Sequence, residues 1–517
     1  MLSTLISLAM QTQLLIDPML IVQAEEVWSI IGTSKNQVWP GWDARKTPLL
    51  FYFPGKQDVL INHPKPPTDF VLYTGPVKTK LGSIYIRNGK TQFDMDGQNT
   101  STDIAGVRTL VVADTQSTRR QWIQGLPPSI LNQPTTTELK QLETGLFNDP
   151  LDTMLIVAHE AFHVYQDIHS KKDKVSELVI AKYPTLSPEN NAGFALESEL
   201  LAKAIQAPTR QESLDFAIKW LATRDHRRAS LSSDVIAYEN GVEFVEGIAK
   251  YVEYASLQAL KTRKPAPAMW LMQGFEGYKN PVQQESRMIN SMKGFMNGKN
   301  LVNNDPYGTA PVRFRMYFSG MAIGAMLDRI GADWKKVALD KGTNLTDLVR
   351  QASGAKPEQL ASTWSQLATS PEYQTLLSSK RQLEADGKTH IAEVLASFDK
   401  APLKLVIDHA GLPDAKLGLA FTPFGLLRID ESRTVYRTIP LRGFCGDLQF
   451  AEDSARPVMV DSSKKQLTFT LTASELPNEL AFGQEVSLAK LNLPGLSLEK
   501  VKGTFDLNGN TLTLRLK

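Results

Sequence analysis

The sequence predicts an α+β protein with a small β-sheet lobe, a mostly helical lobe and a C-terminal β-rich domain. Short apolar runs punctuated by Pro and Gly occupy residues 45–118. Apolar residues then recur at helical spacing over residues 119–400. Alternation of apolar and polar residues returns over residues 401–517, where Asn508-Gly509 has the composition of a tight hairpin turn. We therefore expect one sheet, one helical body and a separate β domain along the chain.

The composition is that of a folded globular protein and argues against a nucleic-acid partner. The 517 residues include 57 Lys or Arg and 55 Asp or Glu, which leaves a net charge of +2. Proteins that bind a phosphate backbone carry Lys/Arg-rich runs, and this chain contains none. Its single cysteine, Cys445, has no second thiol for an internal disulfide or a shared zinc site, so we expect a small buried residue there.

Residues 1–44 form an N-terminal segment with two interpretations: a signal peptide followed by a helix, or the first core helix of the protein. The segment begins with an apolar stretch, but no Lys or Arg precedes Lys35, as a positive n-region requires. Gln11, Gln13 and Asp17 interrupt the stretch, so it falls short of the ~20 apolar residues of a transmembrane helix. We expect no transmembrane span, and we favour an exported (periplasmic or secreted) protein over a cytoplasmic one.

Five runs in the predicted sheet lobe have the composition of β-strands. They are rich in apolar, β-branched and aromatic residues, and Pro and Gly separate them, which predicts a largely antiparallel sheet. The runs are LLFYF from Leu49, DVLIN from Asp58, FVLYT from Phe70, SIYIRNGK from Ser83 and VRTLVVAD from Val107.

The run MLIVAHEAFHVYQDIH, from Met154 to His169, predicts a buried helix with one narrow polar seam. At about 100° per residue, His159 and His163 share a stripe, while apolar residues cover most of the remaining circumference. Two imidazoles one turn apart can direct ring nitrogens at one Zn²⁺, at about 2.0–2.1 Å. Glu160 then lies beside the metal, where it can take a proton from water. A pair of hydrogen-bonded core histidines is the alternative, which the buried seam disfavours.

Catalytic zinc usually takes three protein ligands. No histidine continues the motif after His163 as in three-histidine sites, so we expect a carboxylate as the third ligand. The run YENGVEFVEGIAKYVEYAS, from Tyr238 to Ser256, predicts a second buried helix with a narrow polar stripe. The stripe consists of Glu239, Glu243, Glu246, Lys250 and Glu253. Gly247, next to Glu246, leaves room for another helix to pack closely.

Glu246 is the preferred third ligand, and other carboxylates remain candidates. Glu243 shares the stripe, where it could be the ligand or could instead hold a ligand histidine. Glu197 and Glu199 lie on another predicted helix, where solvated charges are the simpler interpretation. The stripe could also be a solvent-facing surface with a Glu246–Lys250 ion pair, although its narrowness argues against that.

Two of these segments resemble the gluzincin peptidases. HEAFH matches their His-Glu-x-x-His motif, and EGIAKYVEY, from Glu246, resembles their Asn-Glu-Gly-Phe-Ala-x-Tyr segment. The resemblance implies that His159, His163 and Glu246 are zinc ligands. It also implies that Glu160 is the general base of a zinc metallopeptidase with a peptide or protein substrate, in a zincin fold whose small sheet precedes a helical lobe. The 82 residues between His163 and Glu246 then include inserted helices, which cost little because loop-closure entropy grows slowly with length.

The segment Tyr317-Phe-Ser-Gly320 resembles Tyr-x-Lys-Gly of the same peptidases, with Ser319 where they have Lys. The resemblance implies that the Tyr317 hydroxyl, which stays protonated at neutral pH, donates to the oxyanion that forms when water adds to a carbonyl. A core tyrosine is the alternative, and Arg313 or Arg315 is then the next candidate donor. Those arginines also suit a substrate carboxylate or a structural ion pair.

The sequence thus predicts a zinc-dependent hydrolase, in which water activated by Glu160 attacks a peptide carbonyl. A hydrolase of non-peptide acyl bonds is one alternative, and a zinc-containing binding or structural protein without turnover is another. The presence of Glu160 favours catalysis, because a zinc ion that serves only the structure needs no neighbouring base.

Overall fold

The computed structural model describes residues 13–89, 98–124, 150–172, 175–278, 281–298, 310–412, 416–420, 425–437, 441–454, 456–472, 476 and 480–517. It confirms the α+β fold class, because a sheet lobe, a helical middle and a β-rich C-terminal domain follow one another along the chain. None of the helices described is both long and apolar enough to cross a membrane.

The sheet lobe consists of β1 (Leu49–Phe53), β2 (Gln57–Ile61), β3 (Val71–Leu72), β4 (Ile84–Asn88), β5 (Thr100–Ile104) and β6 (Val107–Ala113). Their order in the sheet is β3-β4-β2-β1-β6-β5. Strands β1 and β6 run parallel, and the other neighbouring pairs are antiparallel, as the sequence predicts for most of the sheet. Strand β5 escapes the prediction because its polar residues lie half-buried at the edge of the sheet and carry no apolar run.

Helices make up most of the chain between the two sheets. They are α1 (Met19–Ile31), which precedes the first sheet, α2 (Thr115–Gln124), α3 (Pro150–His169), α4 (Pro188–Gln206), α5 (Arg210–Arg228), α6 (Ser233–Val242), α7 (Ile248–Leu260), α8 (Pro281–Asn297), α9 (Ala310–Arg329), α10 (Leu345–Ser353), α11 (Pro357–Ala368) and α12 (Pro371–Asp399). Short 3₁₀ helices lie at Ala44–Lys46, Glu177–Lys182 and Pro267–Leu271.

Helix α1 belongs to the core of the helical lobe. Its apolar side chains are buried, and Gln23 Nε2 donates to the carbonyl of Pro150 at 3.0 Å, at the start of α3. Residues 19–31 thus form a core helix, which both interpretations of the N-terminal segment allow. Residues 1–12, where the apolar stretch begins, lie outside the part of the chain that the structure describes.

A π turn joins α6 to α7 and makes them one long helix. It spans Glu243–Gly247, and the backbone N–H of Ile248 donates to the carbonyl of Glu243, five residues earlier. Such a turn holds one residue more than an α-helical turn. The residues that follow it are therefore rotated about the helix axis relative to those that precede it.

The π turn lies in backbone contact with α9. A Cβ atom built on Gly247 would lie 2.6 Å from the Cα of Gly320 and 2.9 Å from the carbonyl oxygen of Met316. A Cβ on Gly320 would meet the carbonyl oxygen of Glu243 at 2.6 Å. Only glycine lets two helices approach this closely, so this pair sets the position of α9 against the turn.

The C-terminal domain is a second sheet. Its strands are β7 (Leu403–Asp408), β8 (Leu417–Ala420), β9 (Leu426–Arg428), β10 (Arg433–Tyr436), β11 (Leu441–Cys445), β12 (Leu448–Glu452), β13 (Val458–Asp461), β14 (Gln466–Leu471), β15 (Glu485–Leu493), β16 (Leu496–Asn508) and β17 (Thr511–Leu516). They follow the order β8-β11-β12-β16-β17-β7-β14-β13-β10-β9, and β15 also pairs with β16. The predicted hairpin joins β16 to β17 through Gly509-Asn510, with Gly509 at φ 56°. Cys445 is buried, as predicted.

We expect Gly320→Ala to lower the free energy of unfolding by about 1–3 kcal/mol, because the new methyl group overlaps backbone atoms. Intrinsic helix propensity alone would favour alanine by about 1 kcal/mol, so the two effects have opposite signs. Urea denaturation measures the difference. Gly411→Ala is a control for an added methyl group without overlap, since Gly411 lies in a turn and a Cβ there meets nothing closer than 3.5 Å. Wild-type stability of the Gly320 variant would contradict the close packing.

Candidate metal centre

His159 and His163 lie one turn apart on α3 and face each other. Their Nε2 atoms are 3.1 Å apart, and the two side chains are 9% and 17% exposed. The apolar face of α3 consists of buried side chains, among them Val157, Ala158, Ala161, Phe162 and Val164. The helix thus has the buried circumference and the single polar seam that its sequence predicts.

Glu246 forms a group of three with these histidines. Its Oε2 atom lies 3.4 Å from the Nε2 atom of each, and no other such group occurs among the described residues. Ligand atoms about 2.0–2.1 Å from a tetrahedral zinc ion lie roughly 3.3–3.4 Å from one another. The observed separations of 3.1 and 3.4 Å are close to that value. His163 and Glu246, which are separated by 82 residues in sequence, therefore meet with the spacing of a metal-ligand set.

The other ring nitrogen of each histidine has an acceptor of its own. His159 Nδ1 lies 2.8 Å from Glu253 Oε1, and His163 Nδ1 lies 3.0 Å from Gln166 Oε1. Each Nδ1 therefore carries the hydrogen, and the neutral ring presents a lone pair at Nε2. Such partners fix the orientation of metal-binding histidines in proteins generally. Both rings are held so that Nε2 points toward Glu246.

The carboxylates around the histidine pair favour positive charge at its centre. Burial lowers the pKa of His159, but hydrogen bonds to Glu246 and Glu253 outweigh burial and raise that pKa to about 10. Burial also lowers the pKa of His163, and Glu246 more than reverses this effect. Burial raises the pKa of Glu246, yet the two histidines hold it well below its ordinary range. A divalent cation would supply this positive charge by displacing the protons.

Glu160 lies next to the group of three without belonging to it. It follows His159 on α3, so its side chain leaves the helix about 100° away from that histidine. The side chain is half-buried. Burial raises the pKa of its carboxyl group, and the neighbouring histidines oppose that rise. The role of Glu160 as a general base stays a prediction.

Tyr317 reaches the ligand group from α9. Its ring lies nearly parallel to that of His159, with the centroids 6.3 Å apart and the planes at 15°. Burial and the carboxylate of Glu246 raise the pKa of Tyr317 well above its ordinary value. Its hydroxyl therefore stays protonated and can donate a hydrogen bond. The close contact of Gly320 with the π turn, one helical turn further along α9, places α9 next to the turn that carries Glu246.

Arg313 and Arg315 leave α9 in different directions. Arg313 Nη2 donates to Glu246 Oε1 at 3.1 Å, and its Nη1 donates to Glu177. This guanidinium thus binds the oxygen of Glu246 that does not face the histidines. Arg315 is buried and donates to Asn191 Oδ1 at 2.8 Å, away from the ligand group. Of the predicted roles, the ion pair fits Arg313.

Glu243 does not face the histidines, although it is only three residues before Glu246. Arg224 Nη1 and Nη2 donate to its two oxygens at 3.0 and 2.8 Å, and Ser319 Oγ donates to it as well. The prediction of a single polar stripe along this helix is therefore wrong, because it requires an uninterrupted α-helix. The π turn points the two glutamates toward different surroundings.

Glu197 and Glu199 on α4 also lie outside the ligand group. Glu197 is fully buried and accepts from Arg224 Nε at 2.9 Å and from Arg227 Nε at 2.6 Å. The interpretation of Glu197 as a solvated charge is therefore wrong, since nothing in its local sequence reveals the arginines that surround it. Glu199 pairs with Lys293 at 2.8 Å, with both side chains partly exposed.

Sequence reasoning assigned no role to Gln166 or Glu253, the two residues that hold the histidines. Helical spacing could have indicated both residues, because Gln166 lies one turn after His163 and Glu253 lies two turns after Glu246. Lys250 donates to Glu253 at 2.6 Å instead of pairing with Glu246. The partners of a ligand can thus be sought at helical spacing once the ligand is known.

Comparisons with protein-family models, with curated proteins and with solved structures find no match to this chain. The chemistry of the site is therefore inferred from the distances, burial and hydrogen bonds of the chain's own residues.

We expect Glu197→Gln to destabilise the protein by about 3–5 kcal/mol, because it leaves Arg224 and Arg227 buried without this carboxylate. Burial raises the pKa of Glu197, but the two arginines hold it below its ordinary value. The contribution of Glu197 is thus present at neutral pH and lost as the carboxyl is protonated in acid. Denaturant unfolding at pH 7 and at a series of pH values below 4.5, the ordinary pKa of a glutamate, measures both effects.

Glu199→Gln is the control on the same helix, since it removes the same charge from a partly exposed pair. A surface pair is worth about 0–1 kcal/mol, so this variant should stay close to wild type. Equal losses in the two variants would contradict a special contribution of the buried cluster.

Proposed function

We propose that this protein is a zinc-dependent hydrolase, and that it acts on peptides. One observation carries the proposal: the Nε2 atoms of His159 and His163 and the Oε2 atom of Glu246 form a triangle with sides of 3.1, 3.4 and 3.4 Å. Two histidines and one carboxylate are the ligand set of many catalytic zinc sites, which leave a fourth position for water or substrate.

The donor set fits zinc better than calcium or magnesium. Those two ions prefer an all-oxygen shell, whereas imidazole suits zinc and other transition metals. The nitrogens at His159 and His163 are presented by rings that are already oriented through Nδ1. Arg313 occupies the second oxygen of Glu246, which favours a single contact from that carboxylate to the ion.

When bound, zinc lowers the pKa of a water molecule and polarises the substrate carbonyl. Glu160, beside the ligands on α3, accepts the proton of the attacking water and passes it to the leaving amine. Tyr317 donates its hydroxyl hydrogen to the oxygen that becomes negative. These two roles need a carboxylate on one side of the scissile bond and a neutral donor on the other, and α3 and α9 supply them.

An extended peptide is the substrate class that the surroundings of α3 favour. Strand β5 is the last strand in the order of the first sheet. It lies beside α3: Ser101 Oγ of β5 and Arg108 of the neighbouring strand β6 both donate to Asp167 of α3. A sheet edge offers backbone hydrogen bonds to an extended peptide, whereas a small acyl ester has no use for them. This neighbourhood favours a peptidase over the non-peptide acyl hydrolase.

The purified protein should hold about one zinc ion per chain. We expect His159→Ala and Glu246→Ala each to weaken zinc binding severely, because each removes one of three ligands. Metal analysis after dialysis and competition with a chromophoric chelator measure stoichiometry and affinity. His226→Ala is a matched control, since that ring stacks on Trp364 and lies outside the group of three. Full zinc retention in both ligand variants would overturn the metal assignment.

Glu160→Gln should keep zinc and lose peptide turnover, because the amide preserves the shape of the side chain and removes the base.

Tyr317→Phe should also keep zinc, and should lower kcat by roughly a hundred- to a thousandfold if its hydroxyl stabilises the oxyanion. Hydrolysis of a peptide library, with zinc content determined on the same samples, tests both. Wild-type turnover by the Glu160 variant would overturn the role of Glu160 as the base and leave the zinc assignment standing.

A further inference from the structure

One side chain connects the π turn to the histidine pair. Gln166 is 4% exposed and lies on α3, one turn after His163. Its Nε2 atom donates to the carbonyl of Phe244 at 2.9 Å, inside the π turn. Because this bond identifies the amide nitrogen, the opposite atom, Oε1, is the acceptor that lies 3.0 Å from His163 Nδ1.

The π turn is a suitable fixed point because it is held from two other sides. Glu243, its first residue, accepts from Arg224 and from Ser319 in the buried charge cluster. Gly247, its last residue, lies in backbone contact with Gly320 of α9. The turn also departs from the regular i+4 hydrogen-bond ladder, so a side chain can bind one of its carbonyl groups.

We propose that Gln166 is a positioning residue that sets the distance between the two helices carrying the metal ligands. Its amide spans the gap between His163 on α3 and the turn that carries Glu246. The inference rests on the proposed zinc site and adds a cause for its geometry. The His159–Glu253 hydrogen bond also joins α3 to this long helix, but it lies two turns beyond Glu246, whereas Gln166 binds the turn itself.

Both ends of the amide are needed for this role. The oxygen keeps hydrogen on His163 Nδ1 and so leaves Nε2 ready for a metal. The nitrogen holds the carbonyl of Phe244 and thereby the turn. A glutamate would still accept from His163, but it would place a carboxylate oxygen against the Phe244 carbonyl, where two acceptors repel each other. Gln166→Glu therefore separates the link to the turn from the orientation of the histidine.

The two roles predict opposite effects of Gln166→Glu on zinc affinity. If Gln166 served only to orient His163, a carboxylate would be an equal or stronger acceptor, and zinc would bind as tightly as in wild type or more tightly. If Gln166 links the helices, we expect zinc affinity to fall by roughly ten- to a hundredfold, the usual effect of losing such a partner. Competition with a chromophoric chelator at fixed pH measures the affinity.

Two further variants keep the test independent of folding and charge. Gln166→Met removes both hydrogen bonds without burying a charge, and we expect it to lose zinc affinity to a similar extent. Gln206→Glu makes the same change of charge on an exposed residue at the end of α4 and should bind zinc as wild type does. The absorption spectrum of the cobalt-substituted protein reports ligand geometry directly, and it should change in both Gln166 variants only.

The outcomes separate this inference from the function on which it rests. Failure of the wild-type protein to bind zinc would overturn both. Zinc binding by wild type, together with an affinity of Gln166→Glu that equals or exceeds that of wild type, would overturn only the positioning role, whatever the affinity of Gln166→Met. Loss of affinity in both variants, with wild-type behaviour of Gln206→Glu, would support it.

Discussion

The backbone contact between Gly247 and Gly320 is the constraint on which the candidate centre depends. It brings the π turn and α9 so close that no side chain fits between them. Glu246 lies just before this contact, and Tyr317 lies one helical turn before it on the other helix. Packing at two glycines thus decides how a carboxylate and a phenol from distant parts of the chain stand relative to each other. A contact made of backbone leaves little room for adjustment, which suits a site whose distances must be held.

The π turn also separates two electrostatic environments along one helix. At the first residue of the turn, Glu243 accepts from the buried Arg224, which needs a carboxylate to neutralise it. Three residues later in the same turn, Glu246 faces two histidines instead. Each glutamate thus faces positive or ionisable groups of its own, Glu243 the arginine and Glu246 the histidines. π turns occur often at functional sites, and this one directs two glutamates only three residues apart into different surroundings.

Two side chains on different helices hold the histidine rings. Glu253, from α7, accepts from His159, and Gln166, from α3 itself, connects His163 with the carbonyl of Phe244. Each ring is therefore oriented before any ion binds. The organisation resembles that of metal sites in general, where the partners of the ligands determine affinity as much as the ligands do. The need to orient the two histidine rings also explains why polar side chains such as Gln166 and Glu253 are buried in this part of the core.

The sequence by itself determined the fold class, and it predicted the three candidate metal ligands that the structure brings together. Periodicity sufficed for His159 and His163, because their relation depends on the geometry of one regular helix. Periodicity also predicted the helix on which Glu246 lies, and the resemblance to a known segment singled out Glu246 on that helix. The different surroundings of Glu243 and the burial of Glu197 were decided only by the tertiary structure. One extra residue in a helical turn, and the arginines contributed by another helix, depend on packing between segments far apart in sequence, which local patterns do not record.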